Sequence, residues 1–426
     1  MNLLIVFLIL YHGILWEKTY GGTQDDAGFC FLETPDSCYI VAGNTYSFGN
    51  GGSDFYVLKI DINGDTVWTK YYGGVNDEFA FSIKEHRNGY VILGYSLSPL
   101  DSDIYIVKID SEGNLIWEIT MGDTLHEYAR DFEITVDSNF IITGYKESPA
   151  GDLDLYFAKI DTTGNLIWER RYGGNYDDYG YSICKSNNGY ISTGYTYSSG
   201  PSDADIYLVG IEENGDTLWI KQYGRPGDDD MAFHISGTND GNYILCGSSH
   251  WVFLGYEICY MKITERGEQI WTKYNGSLSN DTSWCINEAF DNGYIITGNF
   301  GTLVWLLKTD STGNPLWSEF YGGNGFDTGH FVKQGMDSCY IIVGKTSSFG
   351  AGGDDVYMIK VQKDIKVEEK NYPYKVRISF PVIYNLKRFK NYEILGFTGR
   401  KIKGIKTNGI YFLKKEKQKL KIILLK

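Results

Sequence analysis

Carboxylates recur at regular intervals along the chain: Asp26, Glu78, Glu127, Asp178, Asp230, Asp281 and Asp327. Oxygens of this kind, drawn together from several segments, could coordinate a hard cation such as Ca²⁺. The same residues also suit a local role, in which each acid accepts backbone N–H bonds in the turn entering its own segment. Strict repetition favours the turn, because a binding site usually breaks the symmetry of the copies around it. Two Gly-rich loops, 49–54 and 350–355, approximate the calcium-binding pattern G-G-x-G-x-D. That pattern works in tandem, and these single copies read as turns.

The departures from repetition are fewer. The segment His250–Trp251–Val252–Phe253–Leu254–Gly255–Tyr256 stands where other copies have Gly, Ser, Pro and Asp. Trp251, Phe253 and Tyr256 could stack on sugar rings or seat a partner's side chain, or pack on one another over a sheet edge. Arg225 replaces the second Gly of a repeated Y-G-G and could orient an anionic group. Catalysis would need a lone cluster of acids, His or Arg, and the non-repeating Arg130, Asp131, His234 and His330 are scattered over three copies. The D-x-Y-x-x-K segments, such as Asp103, Tyr105 and Lys108, recur and read as scaffold bonded between neighbouring copies. Seven scattered Cys, with no C-x-x-C, suggest buried thiols and not a zinc or disulfide framework.

The elements carrying these residues follow from a period. Trp16, Trp68, Trp117, Trp168, Trp219, Trp271 and Trp317 lie 46 to 52 residues apart. An aromatic opens an apolar run in every unit, and a Gly follows four residues later: Gly43, Gly94, Gly144, Gly194, Gly247, Gly298 and Gly344. Each unit holds four strand-like runs, and the last two are joined by I-D-x-x-G-x-x-x-W, a tight turn with Gly where positive φ is needed. Four antiparallel strands at this period are one propeller blade. The fold expected is all-β: a seven-bladed β-propeller over residues 14–364, followed by a small β-rich domain over 365–426. The last unit stops near Val361 after three strands, while Leu15–Tyr20 is an orphan strand. Pairing of the two would close the ring, with the Trp side chains wedged between blades.

Charge divides the chain in the same place. Residues 365–426 hold 17 Lys and Arg against 4 Asp and Glu, so the remainder carries a net −28. So acidic a body repels phosphate, which argues against a nucleic-acid partner. The apolar run Leu3–Leu10 is too short to span a bilayer and has the length of a signal-peptide core, so residues 1–13 read as a signal peptide. No other segment could form a transmembrane helix.

The I-D-x-x-G-x-x-x-W segment resembles the tryptophan-docking repeat of quinoprotein-like bacterial β-propellers, over residues 14–361. The vicinal Cys pair of the family's dehydrogenases is absent, so no quinone and no other cofactor is implied. In the tail, Tyr392, Gly399–Arg400, Gly409, Tyr411 and Leu424–Leu425–Lys426 resemble the C-terminal sorting domain of type IX secretion substrates. That resemblance implies export to the outer cell surface or beyond, with the secretion machinery as partner of the tail. The function expected is non-catalytic binding of a glycan or surface protein through one propeller face. A polysaccharide hydrolase or lyase and a purely structural surface protein remain the alternatives, and the loops beside the acids are the expected ligand face.

Overall fold

The computed structural model describes residues 13–198, 203–251, 255–277 and 280–362, Trp251 through its backbone alone, and the backbone of Glu393–Leu395, Gly409–Lys415 and Gln418–Leu424. The expected signal-peptide core, Phe253, Gly399, Arg400 and Lys426 lie outside the described residues. Every regular element among the described residues is a strand.

Four strands in chain order build each of the first six blades. The first blade comprises Asp26–Glu33, Tyr39–Thr45, Asp54–Ile60 and Thr66–Tyr72, every neighbour antiparallel. The next five repeat this plan, with first strands Asp77–Glu85, Glu127–Ile134, Asp178–Ser186, Asp230–Gly237 and Asp281–Glu288. In the seventh, Asp327–Gln334, Tyr340–Thr346 and Asp355–Val361 are completed by Ile14–Tyr20 from the start of the chain. Ile14 faces Val361 and Tyr20 faces Val356, and the Gln362 N–H donates to Gly13 O at 2.9 Å. Closure of the ring by its two ends is therefore observed.

The core is not single. Each of the seven blade boundaries, including the one between the last blade and the first, has its own cluster of buried side chains. One of the seven Trp packs, partly buried, against each cluster. Second and third strands are buried along most of their length, while fourth strands such as Thr66–Tyr72 are largely exposed.

The sequence's W-x-x-x-Y and D-x-x-G motifs meet across these boundaries. Trp16 Nε1 donates to Ile62 O at 2.9 Å, and the Tyr20 hydroxyl donates to Gly64 O at 2.6 Å. Gly64 takes a φ of 80°, and a Cβ there would stand 3.1 Å from the Trp16 ring. Tyr72, Tyr172 and Tyr223 reach Gly113, Gly215 and Gly267 in the same way, at 2.5–2.6 Å. The turn glycine thus meets two demands at once: a left-handed backbone, and room for the preceding blade's indole.

The D-x-Y-x-x-K segments bond both within blades and between them: their tyrosines stay within the blade, while Lys360 also donates to the Tyr39 hydroxyl of the first blade at 3.1 Å and Lys159 stands 3.6 Å from Glu213 of the fourth. Tyr105 donates to Glu118 at 2.6 Å and Tyr156 to Glu169 at 2.8 Å, each on the adjacent strand of its own blade. Their lysines run buried to an Asp of the hairpin joining the first two strands, Lys159–Asp137 at 3.2 Å and Lys360–Asp337 at 2.7 Å, as does the equivalent Lys308 of the sixth blade to Asp291 at 2.8 Å. Blade two lacks that Asp. Its buried Lys108 donates to His86 O, and burial with the nearby Arg87 charge pushes its pKa down to about 8.

A second compact unit carries a three-stranded antiparallel sheet, Glu393–Leu395, Gly409–Lys415 and Gln418–Leu424. Gly409 lies opposite Leu424, and Tyr411 opposite Ile422.

Candidate functional site

Every first strand contains a β-bulge at the same place. Pairing slips between Gly28 and Cys30, Ala80 and Ser82, Ala129 and Asp131, Gly180 and Ser182, Ala232 and His234, Ser283 and Cys285, and Gly329 and Phe331. Opposite the bulge stands the recurring glycine of the second strand. A Cβ on Gly43 would fall 1.8 Å from Ala27 O, and one on Gly94 1.7 Å from Phe79 O. That glycine is needed because the bulged backbone occupies the space of a side chain.

The extra residue of each bulge turns toward the centre of the ring. These residues are Phe29, Phe81, Arg130, Tyr181, Phe233, Trp284 and His330, all half-buried, and they form an unbroken collar. Phe29 lies 5.0 Å from Phe81 and stacks on His330 at 4.6 Å. Tyr181 meets Phe233 at 5.2 Å, Phe233 meets Trp284 at 4.7 Å, and Trp284 meets His330 at 6.2 Å. Arg130 fills the remaining place, its guanidinium carbon 4.3 Å from the Phe81 ring centre and 4.6 Å from that of Tyr181.

From the collar a channel of about 910 Å³ runs along the first strands toward their C-terminal ends. Four cations (Lys84, Arg130, Lys185 and Lys333) and three carboxylates (Glu85, Asp131 and Glu133) line it, with Ser82, Ser182, Ser236 and Asn287. Asp131 is fully committed: it accepts from Ser82 at 2.8 Å, Ser182 at 2.9 Å, Phe132 N–H at 2.8 Å and Ile183 N–H at 3.1 Å. Lys84 pairs with Glu133 at 2.8 Å. His330 Nδ1 lies 2.8 Å from Gly28 O, which makes it the protonated nitrogen. Burial lowers the pKa of both His234 and His330 to about 4, so both imidazoles are neutral at neutral pH. The four residues that sequence reading left scattered are thus brought to one channel.

None of the seven repeated acids lines that channel. All are buried at the start of the first strands. Asp26 accepts Gly22 N–H at 2.7 Å and the Ser47 hydroxyl at 2.7 Å. Glu78, Asp178, Asp230, Asp281 and Asp327 accept the equivalent loop N–H groups at 2.5–2.9 Å. Glu127 instead pairs with Lys146 at 2.9 Å. Among the described residues no group of three or more His, Cys, Asp or Glu is placed to hold a metal ion.

The fifth-blade segment extends its hairpin, with Trp251 opposite Gly255 and His250 opposite Tyr256. The Tyr256 ring rests 4.8 Å from His250, and its hydroxyl lies 3.4 Å from Asp229. Arg225 turns to its own blade: its guanidinium donates to Ser249, stands 3.7 Å from Asp228, and covers the Tyr274 ring at 4.7 Å. The structure therefore brings Arg225 and Tyr256 to one neighbourhood but opens the large cavity elsewhere, beyond the collar. Sequence reading missed the collar. Its signal was present, an aromatic or imidazole three residues after the repeated acid in six of seven units.

No protein-family model matches the sequence, and no curated protein matches it. Solved structures are similar in shape. The Neurospora crassa Pan2 WD40 domain aligns with a TM-score of 0.52 at 9% identity, over 83% of this chain and 96% of that one. Drosophila Plexin A in complex with Semaphorin 1b gives 0.49 at 8%, over 82% and 87%. Virginiamycin B lyase from Staphylococcus aureus gives 0.48 at 14%, over 81% and 98%. Identities this low speak for the fold alone, a β-propeller.

Proposed function

We propose that this is an exported or cell-surface binding propeller, without catalysis of its own, that admits a glycan to its central channel. The observation that carries the reading is the collar: six rings brought into mutual contact by six of the seven bulges, beside a bore lined with hydroxyls and an amide. Aromatic faces take the C–H face of a pyranose, and the polar groups beyond them answer its hydroxyls. Chemistry has less to work with. Asp131, Glu133 and Lys84 are bound to partners, and the two imidazoles are neutral and packed. Export is read from the resemblance of the tail sequence to a sorting domain; in the tail, Gly409–Lys415 pairs with Gln418–Leu424.

Screening the full-length chain on a glycan array tests the binding reading, with Phe233→Ala as the control. Retention of pyranosides by the wild type and their loss in the variant is expected; equal retention by both would overturn it. For export, deletion of residues 365–426 should leave the protein inside its cell, and normal release would refute that role.

A further inference from the structure

The collar has one member that is not a ring. At the bulge position where six blades place Phe, Tyr, Trp or His, blade three places Arg130. Its guanidinium lies between Phe81 and Tyr181, with the Tyr145 ring at 5.9 Å. Among the described residues no carboxylate forms an ion pair with it, and its buried Nε has no acceptor.

A guanidinium partly withdrawn from water is ordinarily matched by an acid, because a buried donor left unmet, as Nε is here, is costly. Acids are plentiful in this propeller, and the adjacent Asp131 is aimed instead at Ser82 and Ser182 of the flanking blades. Cation–π contacts hold the guanidinium plane in position but satisfy none of its in-plane N–H donors. A planar fork fixed between two rings at the wall of a bore fits the bidentate geometry of a carboxylate. Phe29, 5.0 Å from Phe81, and Phe233, 5.2 Å from Tyr181, continue the apolar surface of the collar on either side of it.

We propose that Arg130 is the specificity determinant of the channel and that the glycan it admits is acidic, a uronic-acid-containing oligosaccharide whose carboxylate docks on the Arg130 guanidinium. This inference rests on the glycan-binding reading above. The carboxylate supplies the missing counter-charge, while the pyranose ring lies against the collar. Within a body of net charge −28, such a ligand is admitted only where the lining turns positive, as it does here.

Titration calorimetry on the full-length chain with oligogalacturonate, and with the same oligomer after reduction of its carboxyl groups, separates the possibilities. Wild type should bind the acidic oligomer at least tenfold more tightly than the reduced one, with the difference shrinking as salt rises. Arg130→Gln should erase that preference while keeping the weaker binding of the reduced oligomer, and Arg130→Lys should restore only part of it. Unchanged thermal unfolding of both variants will show that the collar is intact; if Arg130→Gln unfolds, the salt dependence of the wild type decides. Equal binding of both oligomers by the wild type, or a preference that survives in Arg130→Gln, overturns the inference and leaves glycan binding standing. Binding of neither oligomer, with capture of an acidic peptide in their place, overturns both.

Discussion

Three residues separate two belts of the same seven strands, and the belts behave differently. Asp26 and its counterparts stand at the strand entrances, and six of the seven accept an N–H from the loop that precedes them. The residues three positions further on are pushed into the bore by a bulge, and there identity varies: three Phe, a Tyr, a Trp, a His and an Arg. The first belt is chemically richer in formal charge yet has its charge absorbed by the scaffold. The second is mostly neutral but presents open surface to a channel. Repetition in this fold marks what every blade needs in order to form, and variation on that frame marks where a ligand can be told apart from others.

The sharpest division between the belts should come from paired substitutions. Asp327→Ala removes the acceptor of Gly323 N–H, at 2.8 Å, and of the Ser348 and Thr346 hydroxyls, and should cost about 3 kcal/mol in denaturant unfolding. Ligand affinity, measured on the protein that remains folded, should not change. Phe233→Ala should do the reverse, weakening ligand about tenfold with a smaller loss of stability, since its ring is only half-buried, against its collar neighbours and Tyr195. If both variants lost affinity and stability together, the separation of roles would be wrong.

Buried lysines give a subtler contrast. Lys308, 0% exposed, is matched by Asp291, so Lys308→Met should destabilise by about 1–3 kcal/mol. Lys108, 5% exposed, lacks a carboxylate, and Lys108→Met should be neutral or stabilising by about 1 kcal/mol. The pH dependence follows the same logic. Because the folded-state pKa of Lys108 is lowered to about 8, the folded form sheds its proton before the unfolded chain does. Stability of the wild type relative to the variant should therefore rise between pH 8 and 10.5.

Smallest is the effect at Asp54, where burial and the neighbouring Glu78 raise the pKa to about 6. A raised carboxyl contributes stability below its unfolded pKa and loses it as pH climbs through the folded value. Asp54→Asn should remove that loss, making the variant slightly the more stable above pH 6. A thermal-shift series from pH 4 to 7 would show the two curves diverging as pH rises.

Much of the scaffold was legible because its causes are local. A turn that needs positive φ names its glycine, an indole that needs a flat seat names its period, and an orphan strand at one end names its partner at the other. The turn role of the acids was also readable from their repetition. The collar was not, for a physical reason. Alternation along a strand sends adjacent residues to opposite faces, so Phe29 and Cys30, or Arg130 and Asp131, read as one inward and one outward. The bulge suspends alternation for one step and turns both toward the bore. Its trace was Gly43 and its equivalents, recognisable as invariant across the copies but not as the partner of a bulge. The aromatics that stand out in the sequence are Trp251, Phe253 and Tyr256, which interrupt a polar loop, and Tyr256 is in contact with His250 of its own hairpin.

A crystal structure of the full-length chain with bound trigalacturonate tests the central claim most directly. The account predicts the sugar inside the channel, one ring against Phe29 or Phe233 and one carboxylate bidentate on Arg130. Density for it on the outer loops, beside Tyr256 and Arg225, with the bore left to solvent, would contradict the account.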